Sequence, residues 1–467
     1  MRVSPRLRIN RFDAMSDKRS AKEVAAQLHP LAVPHQAYTR LTLADAAAQT
    51  GIPTYVQMLG RDFIHNSLYH PSYGYFSKRA KIFSPDHAIP FNEIRDNYAF
   101  MNYISKMYKA RDDRPNDNEA RQIWHTPTEL FTPHYGHAVA RYILKQYKQD
   151  PRGSPLLIYE IGAGNGTLMC NILDYLYQHD PRVYAECRYT VIEISPQLLN
   201  KQRRNMPERH RQRVQIIGKS VFEWDTLVPE SCFVMAMEVI DNFAHDIVRW
   251  EDETLLQGLV LIDGDGDFSE AFEQARDPLL KRYFDLSPRH RYHAMAMAHP
   301  LAQAKRPKSI REHVENWVLP WTSAMSAPEF VPTMQLRFFD TLSRYFPRHR
   351  LILSDFDALP DSMDGINAPV VQTRYNGLDL PCPAPRTSYT RGGLTFSFVS
   401  TDFHAMRDVY AGIMHSNGVE KRGLRVMSQQ EFLMSHAGPD ILAKTRTRLG
   451  ENPMLGFYRN FSFLVSE

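Results

Sequence analysis

Short apolar runs alternate with amphipathic stretches through the middle of the chain. The runs typical of buried strands cover residues 156–161, 189–194, 214–218 and 232–239. Between the first two runs, four aliphatic side chains fall on one helical face: Leu168, Ile172, Leu173 and Leu176. Strands that alternate with helices pair in parallel through right-handed crossovers. The expected fold is therefore α/β, with a doubly wound, mostly parallel, Rossmann-like sheet.

The pattern before this core is helical. Residues 54–147 carry aromatic side chains at mixed helical spacings, and residues 112–119 have the composition of a surface loop. Prolines and a glycine within residues 150–155 break the helix just before the first strand. We therefore expect a leader and polar approach in residues 1–50 and an N-terminal helical region in residues 51–150.

The pattern after the core is mixed. Residues 246–251 and 259–263 predict two antiparallel strands around a polar turn. Residues 268–346 show a helical pattern interrupted by proline, which predicts a helical insertion. Beyond it come strand patterns at 349–355 and 393–403, helical stretches at 405–414 and 428–435, and a final apolar run at 457–465. These segments would complete a domain of residues 151–467.

Composition identifies a globular chain and excludes several classes of protein. The 467 residues are 43% hydrophobic and 23% charged with a net charge of +4, which excludes disorder as the main state. Four cysteines without a C-x-x-C pair predict neither a disulfide framework nor structural zinc. No apolar run reaches the roughly 18 to 20 residues that span a bilayer. The basic residues between Lys201 and Arg213 fit a solvated helix face better than a nucleic-acid contact, so a nucleic-acid partner is not expected.

The first twelve residues are rich in arginine. Arg2, Arg6, Arg8 and Arg11 precede the first acidic residue, Asp13, which is the composition of a mitochondrial transit segment. An ordinary basic terminus has the same composition. These residues alone leave both interpretations open.

The sharpest local motif is an acidic residue followed by closely spaced glycines. Glu160 ends the first strand, and Gly162, Gly164 and Gly166 lead into the next helix, with Asn165 and Thr167 in the same loop. Glycines permit a tight turn and the close approach of a ligand to the backbone. The last spacing is too short for a dinucleotide-binding loop. The motif instead suits S-adenosylmethionine (AdoMet), whose ammonium and sulfonium a carboxylate attracts. A glycine-rich turn without a ligand is the alternative.

Further candidate residues follow the next strands. Glu193 ends the second strand, where an acid can accept hydrogen bonds from both ribose hydroxyls. Ser220 and Val221 follow the third strand, where such a fold holds an adenine. Glu238 and Asp241 follow the fourth strand, where two carboxylates could hold a guanidinium or ammonium nucleophile and accept its proton. Strand-end acids that face solvent or cap a helix are the alternative.

Two patterns that imitate metal sites fail on inspection. Asp263, Asp265 and Asp267 resemble the start of an EF-hand, but Phe268 stands where that loop needs glycine. The histidines between 290 and 299 lack companion ligands at a suitable spacing. No metal is expected.

Taken together, these segments resemble the MidA type of AdoMet-dependent methyltransferases. The matching segments are Gly74-Tyr75-Phe76, His125 to Phe131 with Gly136, the glycine loop, Tyr189 to Gln202 (YTVIEISPQLLNKQ), and Ala236 to Phe243. The second strand is the most specific match, because Ser195-Pro196 and Gln202 are not required by a generic turn. The chain departs from the family where Met237 replaces the usual Asn and where Asp355-Phe356-Asp357 replaces D-Y-G.

The resemblance implies a function as well as a fold. The family binds AdoMet in a methyltransferase sheet and includes a mitochondrial complex I assembly factor that methylates a protein arginine. It thus implies a protein substrate, with a complex I core subunit as the candidate, a location in the mitochondrial matrix, and a substrate-binding role for Glu129. Two other readings stay open, namely a catalytically silent AdoMet-binding assembly factor and an RNA methyltransferase. The acceptor, the number of methyl groups and the oligomeric state are not predicted.

Overall fold

The structure is a computed structural model. It describes residues 38–467 except 79–80, 86, 113–122, 151–153, 252–253, 265, 267, 288–325, 327, 360–369, 376–377, 383–395 and 420–421. The predicted arginine-rich leader, most of the predicted loop at 112–119 and the middle of the predicted helical insertion lie outside the described residues.

Strands and helices alternate along much of the described chain. The strands are β1 (Thr39–Arg40), β2 (Val56–Leu59), β3 (Lys81–Ile82), β4 (Ile123–Trp124), β5 (Leu157–Ile161), β6 (Arg188–Glu193), β7 (Val214–Gly218), β8 (Cys232–Met237), β9 (Asp246–Glu251), β10 (Thr254–Ile262), β11 (Phe268–Gln274), β12 (Glu329–Val331), β13 (His349–Phe356), β14 (Val370–Tyr375), β15 (Leu378–Cys382), β16 (Phe396–Phe398), β17 (Leu424–Ser428) and β18 (Phe461–Ser466). The α-helices are α1 (Leu43–Ala47), α2 (Gly60–Tyr69), α3 (Tyr75–Lys78), α4 (Asn97–Asp112), α5 (Pro127–Leu130), α6 (His134–Lys148), α7 (Thr167–His179), α8 (Pro181–Glu186), α9 (Pro196–Asn205), α10 (Pro278–Leu286), α11 (Thr333–Tyr345), α12 (Phe403–Ser416), α13 (Gln429–His436), α14 (Gly438–Lys444) and α15 (Pro453–Gly456).

The central sheet is mixed. Its described strands lie in the order β17-β18-β13-β8-β5-β6-β7. The pairings from β13 through β8, β5 and β6 to β7 are all parallel, whereas β18 runs antiparallel to both of its neighbours, β13 and β17. The α/β class is therefore confirmed. The sheet is parallel through the four strands that the apolar runs predicted and through β13, and it is antiparallel at β18 and β17.

Each face of the central sheet has its own hydrophobic core, because side chains alternate along a strand. On one face, strand residues pack with α6, α7 and α13: Ile158, Tyr189, Val191, Met235 and Phe463. On the other face, strand residues pack with α10, α11 and α12: Val234, Ala236, Leu351, Leu353 and Leu464. Helices cover both faces, which explains why the parallel strands are largely apolar.

A second sheet lies beside the first and is largely antiparallel. Its described strands follow the order β1-β2-β10-β9-β12, with β11 on β10. The antiparallel pair predicted at residues 246–251 and 259–263 is present as β9 and β10, but β10 already begins at Thr254, and it pairs with β9 through residues 254–257, ahead of the predicted second strand. β2 comes from the N-terminal region and pairs with the carboxyl-terminal half of β10, from Leu259 to Ile262. The N-terminal region is therefore not purely helical, and it contributes a strand to this sheet.

The expectation of a helical insertion at 268–346 is wrong for part of the described residues. The segment contains helices α10 and α11, as expected, but it also contains β11 and β12. β11 pairs with β10 from Ile262↔Phe268 to Leu256↔Gln274, so a complete hairpin ladder outweighs the helical pattern of its sequence.

Two close contacts explain glycines in the family-like N-terminal segments. A Cβ at Gly74 would lie 2.3 Å from the backbone nitrogen of His70, so the turn into α3 has no room for a side chain. A Cβ at Gly136 would lie 2.5 Å from the Cβ of Asn171, which shows how closely α6 crosses α7. The second contact packs α6 closely against α7, the helix that follows β5.

Candidate active site

The candidate residues meet at one edge of the central sheet. β5, β6, β7, β8 and β13 are parallel, so their carboxyl ends share an edge. The glycine loop follows β5, Glu193 ends β6, Ser220 follows β7 and Glu238 follows β8. Open α/β sheets place their ligands at this edge.

The glycine loop has a backbone that favours glycine at three positions. Gly162, Gly164 and Gly166 have φ angles of 66°, 55° and 80°, a region that L-residues with side chains seldom adopt. A Cβ on Gly162 would lie 2.9 Å from Val239 Cγ2, and one on Gly164 would lie 2.7 Å from Ile82 Cδ1. The loop therefore needs its glycines for both conformation and space.

Glu160 lies in the interior beside the glycine loop. Its side chain is buried, and its Oε2 accepts a hydrogen bond from the hydroxyl of Tyr189 at 2.7 Å. Burial raises the pKa of Glu160 to about 7, and the nearby Glu193 adds to the rise against the lowering effect of the Tyr189 hydrogen bond. A cation next to this carboxylate would offset the unfavourable burial of its charge.

Gln202 fixes Glu193 relative to the glycine loop. Its Nε2 donates to Glu193 Oε2 at 3.2 Å and to the carbonyl oxygen of Gly164 at 3.0 Å. The other carboxylate oxygen of Glu193 accepts from the backbone N–H of Ser195 at 2.9 Å. Burial raises the pKa of Glu193 to about 7, although these hydrogen bonds oppose the rise. Ser195 and Gln202, which carried the family resemblance of the segment around β6, therefore hold the Glu193 carboxylate from both sides, and we call them its clamp. The sequence did not reveal this role.

Glu129 lies against the glycine loop. Its Oε1 accepts hydrogen bonds from Asn165 Nδ2 at 2.9 Å and from the hydroxyl of Thr167 at 2.8 Å. Glu129 is held in place at the start of α5, where its backbone N–H donates to the hydroxyl of Thr126. Asn165 Nδ2 also reaches the carbonyl oxygen of Ile82 at 3.4 Å. Two N-terminal segments thus cover the loop, and the expected role of Glu129 in binding a substrate stays a prediction.

Ser220 and Val221 start the segment after β7. The hydroxyl of Ser220 accepts from the backbone N–H of Phe222 at 3.3 Å and so caps the short 3-10 turn Val221–Glu223. Val221 is buried in the core beside Ile192. Their expected contact with an adenine stays a prediction, since both side chains also have these structural roles.

Glu238 and Asp241 lie where β8 ends and a 3-10 turn, Ile240–Asn242, begins. Glu238 has a φ of 58°, which is strained for a residue with a side chain. Burial raises the pKa of Glu238 well above its usual value, and the charges of Asp355, Asp241 and Glu129 add to this rise. Asp241 is also buried, and burial followed by the charge of Asp355 raises its pKa. The two carboxyls therefore share a crowded acidic site.

Asp355, at the end of β13, organises this turn. Its Oδ2 accepts from the backbone N–H groups of Ile240 at 2.8 Å and Asp241 at 3.0 Å, and its Oδ1 accepts from its neighbour Phe356 at 2.8 Å. Burial raises the pKa of Asp355 to about 7. The sequence drew attention to this residue only as a departure from D-Y-G. Its position became evident from the pairing of β13 with β8.

Tyr69, from α2, closes the site on the N-terminal side. Its hydroxyl donates to the carbonyl oxygen of Asn242 at 3.1 Å, and its ring stacks on Phe76 at a centroid distance of 5.4 Å. Burial raises its pKa, and the charges of Asp241 and Glu193 add to this effect. Tyr69 therefore lies near Glu193 at the end of β6 and near Asp241 after β8. The sequence gave no signal for this role.

The residues present fit AdoMet. Six buried or partly buried acids surround the site, and none forms an ion pair with a described lysine, arginine or histidine: Glu129, Glu160, Glu193, Glu238, Asp241 and Asp355. Three residues of the glycine loop, Gly162, Gly164 and Gly166, have no Cβ atom to block a ligand. AdoMet carries an ammonium and a sulfonium, and it has no phosphate that these acids would repel. In the described part of the chain no cluster of three or more His, Cys, Asp or Glu is placed to hold a metal.

The fold and site define an AdoMet-dependent methyltransferase, and comparison with known proteins agrees. The model of the family described as "Putative S-adenosyl-L-methionine-dependent methyltransferase" matches residues 138–419, and the chain belongs to this family. Its cofactor is AdoMet. A Schizosaccharomyces pombe protein named "Protein arginine methyltransferase NDUFAF7 homolog, mitochondrial" is 24% identical over 341 residues, which are 68% of this chain and 67% of that protein. This match supports the MidA-type resemblance.

Two crystal structures from Burkholderia thailandensis share the fold. One protein, bound to S-adenosyl-homocysteine, has a TM-score of 0.52 at 15% identity, and the alignment covers 96% of this chain and 92% of that one. A native structure has a TM-score of 0.51 at 15% identity and covers 96% and 91%. At this identity the likeness shows the fold alone.

Proposed function

We propose that this protein transfers the methyl group of AdoMet to an arginine side chain of a protein in mitochondria. The relative from Schizosaccharomyces pombe supports arginine as acceptor and mitochondria as location, because its name states both. We extend the proposal to the matrix and to a complex I core subunit as substrate on the MidA-type resemblance. No described helix is long and apolar enough to cross a membrane.

The observation that carries the proposal is the acidic site after β8. Glu238 and Asp241 have raised pKa values because they are buried next to Asp355. A guanidinium placed between such carboxyls would favour their charged forms. It would supply the positive charge that no described lysine, arginine or histidine brings to them. An uncharged acceptor would leave the acids without compensation.

The residues around this site have separable tasks. Bound AdoMet supplies a methyl group on a sulfonium, which is already a good leaving group. Glu193, held by Gln202 and Ser195, would accept hydrogen bonds from the ribose hydroxyls. Glu160 would attract the positive charge of the cofactor. Glu238 and Asp241 would hold the guanidinium in a fork-like pairing and take its proton as the new N–C bond forms. Tyr69 and Phe76 would limit the access of water.

Labelled AdoMet tests the proposal directly. Purified protein is incubated with it and a mitochondrial extract, and the label is measured in protein and RNA fractions, with hydrolysis of the protein to identify methylarginine. We expect methylarginine, and we expect Glu238→Gln to lose it while still binding AdoMet. The matched control is Glu230→Gln, an exposed residue before the start of β8 at the opposite edge of the sheet.

The same experiment separates the alternatives. Label in RNA would favour an RNA methyltransferase, and no label with intact AdoMet binding would favour a silent assembly factor. The basic run from Lys201 to Arg213 begins within α9 and gives little support for RNA, because Arg209 pairs with Asp174 and Arg211 pairs with Glu208. Steep salt dependence of RNA binding would contradict this view.

A further inference from the structure

Glu129 has one carboxylate oxygen that the fold does not use. Its Oε1 accepts two hydrogen bonds, but its Oε2 is buried and has no partner within the described chain. The residue is only 2% exposed, so water does not solvate this oxygen freely. A buried acceptor without a partner destabilises the fold, and it does so more strongly when it is charged. Such an oxygen suggests a ligand.

The position of Glu129 indicates which ligand. Both donors to its Oε1 belong to the glycine loop, namely Asn165 and Thr167, so the carboxylate is fixed relative to the loop that holds the cofactor. Thr167 starts α7 at the opposite end of the loop from Glu160. Glu193 and its clamp lie on the β6 side, where the ribose is expected. AdoMet has two cationic groups, the sulfonium and the α-ammonium of its methionine part. Only the α-ammonium has N–H groups that can donate to Oε2.

We propose that Glu129 is a cofactor-binding residue whose Oε2 accepts a charge-assisted hydrogen bond from the α-ammonium of AdoMet. This replaces the expectation that Glu129 binds the methyl acceptor. The N-terminal region would then supply part of the cofactor site, with Oε1 tying it to the glycine loop and Oε2 binding the ligand. The inference rests on AdoMet as cofactor but not on arginine as acceptor.

A pair of ligands and one substitution test the proposal by binding alone. The ligands are S-adenosyl-homocysteine, which carries the α-ammonium, and its analogue with hydrogen in place of the amino group. Calorimetry on the full chain should show that the wild type prefers the amino ligand by roughly 10- to 100-fold, the range of a hydrogen bond to a charged group. In Glu129→Gln, the amide oxygen can keep Asn165 and Thr167 as donors, while an NH2 group replaces Oε2. Most of the preference should disappear, through weaker binding of the amino ligand.

Controls separate ligand binding from a structural role. Glu93→Gln changes an exposed acid of the same N-terminal region and should keep the full preference. A Glu129→Gln protein that also keeps the full preference would show that Glu129 only ties the loop, and equal affinities of the wild type for both ligands would equally overturn the proposal. If Glu129→Gln does not fold, as judged by circular dichroism, Glu129→Asp replaces it. This variant keeps the charge but withdraws it by one methylene, and it should lose the preference. Since both ligands lack a transferable methyl group, the result is independent of which acceptor is methylated.

Discussion

Replacing Glu160 by glutamine should make the stability of the ligand-free protein less sensitive to pH. The pKa of Glu160 is about 7 in the folded protein against 4.5 for an ordinary glutamate, because the side chain is buried. Between these pH values the native state holds a proton that the unfolded chain has released. The free energy of unfolding therefore falls as the pH rises from 4.5 to 7 and levels off above 7. A pKa shift of this size contributes about 3 kcal/mol to the free energy of unfolding at low pH, and most of this contribution is lost between pH 5 and pH 8.

The substitution removes this titration and leaves the local hydrogen bond possible, because the amide oxygen can still accept from Tyr189. Urea unfolding followed by circular dichroism, at pH 5, 6, 7 and 8, measures the effect as a difference between wild type and variant. Burial also raises the pKa of Glu193 and of Asp355, so the wild type has other sources of pH dependence, and the difference between wild type and variant reports the loss of the Glu160 carboxyl. Glu230→Gln, an exposed acid, should leave the wild-type slope unchanged. A Glu160→Gln protein whose stability falls between pH 5 and 8 as steeply as the wild type would refute the reasoning.

Four further substitutions probe the same edge of the sheet. Glu238→Gln and Asp241→Asn should each reduce kcat/KM for methyl transfer by about 2 kcal/mol of transition-state stabilisation, with nearly unchanged AdoMet affinity by calorimetry. An equal loss of cofactor binding would assign them to the cofactor instead. Asp355→Asn cannot supply acceptors for the backbone N–H groups on both of its sides, so it should lower the free energy of unfolding by about 1 to 3 kcal/mol in urea titrations. Gly164→Ala forces a Cβ against Ile82 at a φ of 55°, and we expect weaker AdoMet binding, whereas unchanged affinity would mean that the loop can shift.

The sequence predicted the parallel part of the central sheet because each buried strand is a local signal. Residues 214–218 were predicted as a strand and form β7 with the same bounds, and the start of β8 at Cys232 was also predicted. β17 was missed, since it lies at the end of the described strand order, is only partly buried, and pairs with β18, which follows three further helices along the chain. β11 was assigned to a helix because its ladder with β10 depends on long-range pairing that no local pattern reports.

The site residues likewise divide into those that a local motif predicts and those that only the fold brings together. The glycine loop carries its own evidence, since three glycines at that spacing have few other uses. By contrast, Asp355 supports Asp241 from a strand more than a hundred residues away, and Tyr69 reaches Asn242 from the N-terminal region. The order of strands in the sheet places Asp355 next to Asp241, and the path of α2 places Tyr69 next to Asn242. A single sequence therefore revealed the acids after β6 and β8 but not the residues that hold them in place.

The pairing of β2 with β10 has a consequence for the synthesis of the chain. β2 ends at Leu59, and its partner in the second sheet is complete only at Ile262, about 200 residues later. At the usual rate of roughly 5 to 20 residues per second, the ribosome needs on the order of 10 to 40 s to supply that partner. During this time Val56, Met58 and Leu59 belong to an apolar strand that lacks its β10 partner, the kind of segment that chaperones protect and that aggregates when protection fails. The nascent chain should be most vulnerable before β10 emerges, so fragments that end between residues 60 and 250 are expected to depend on chaperones.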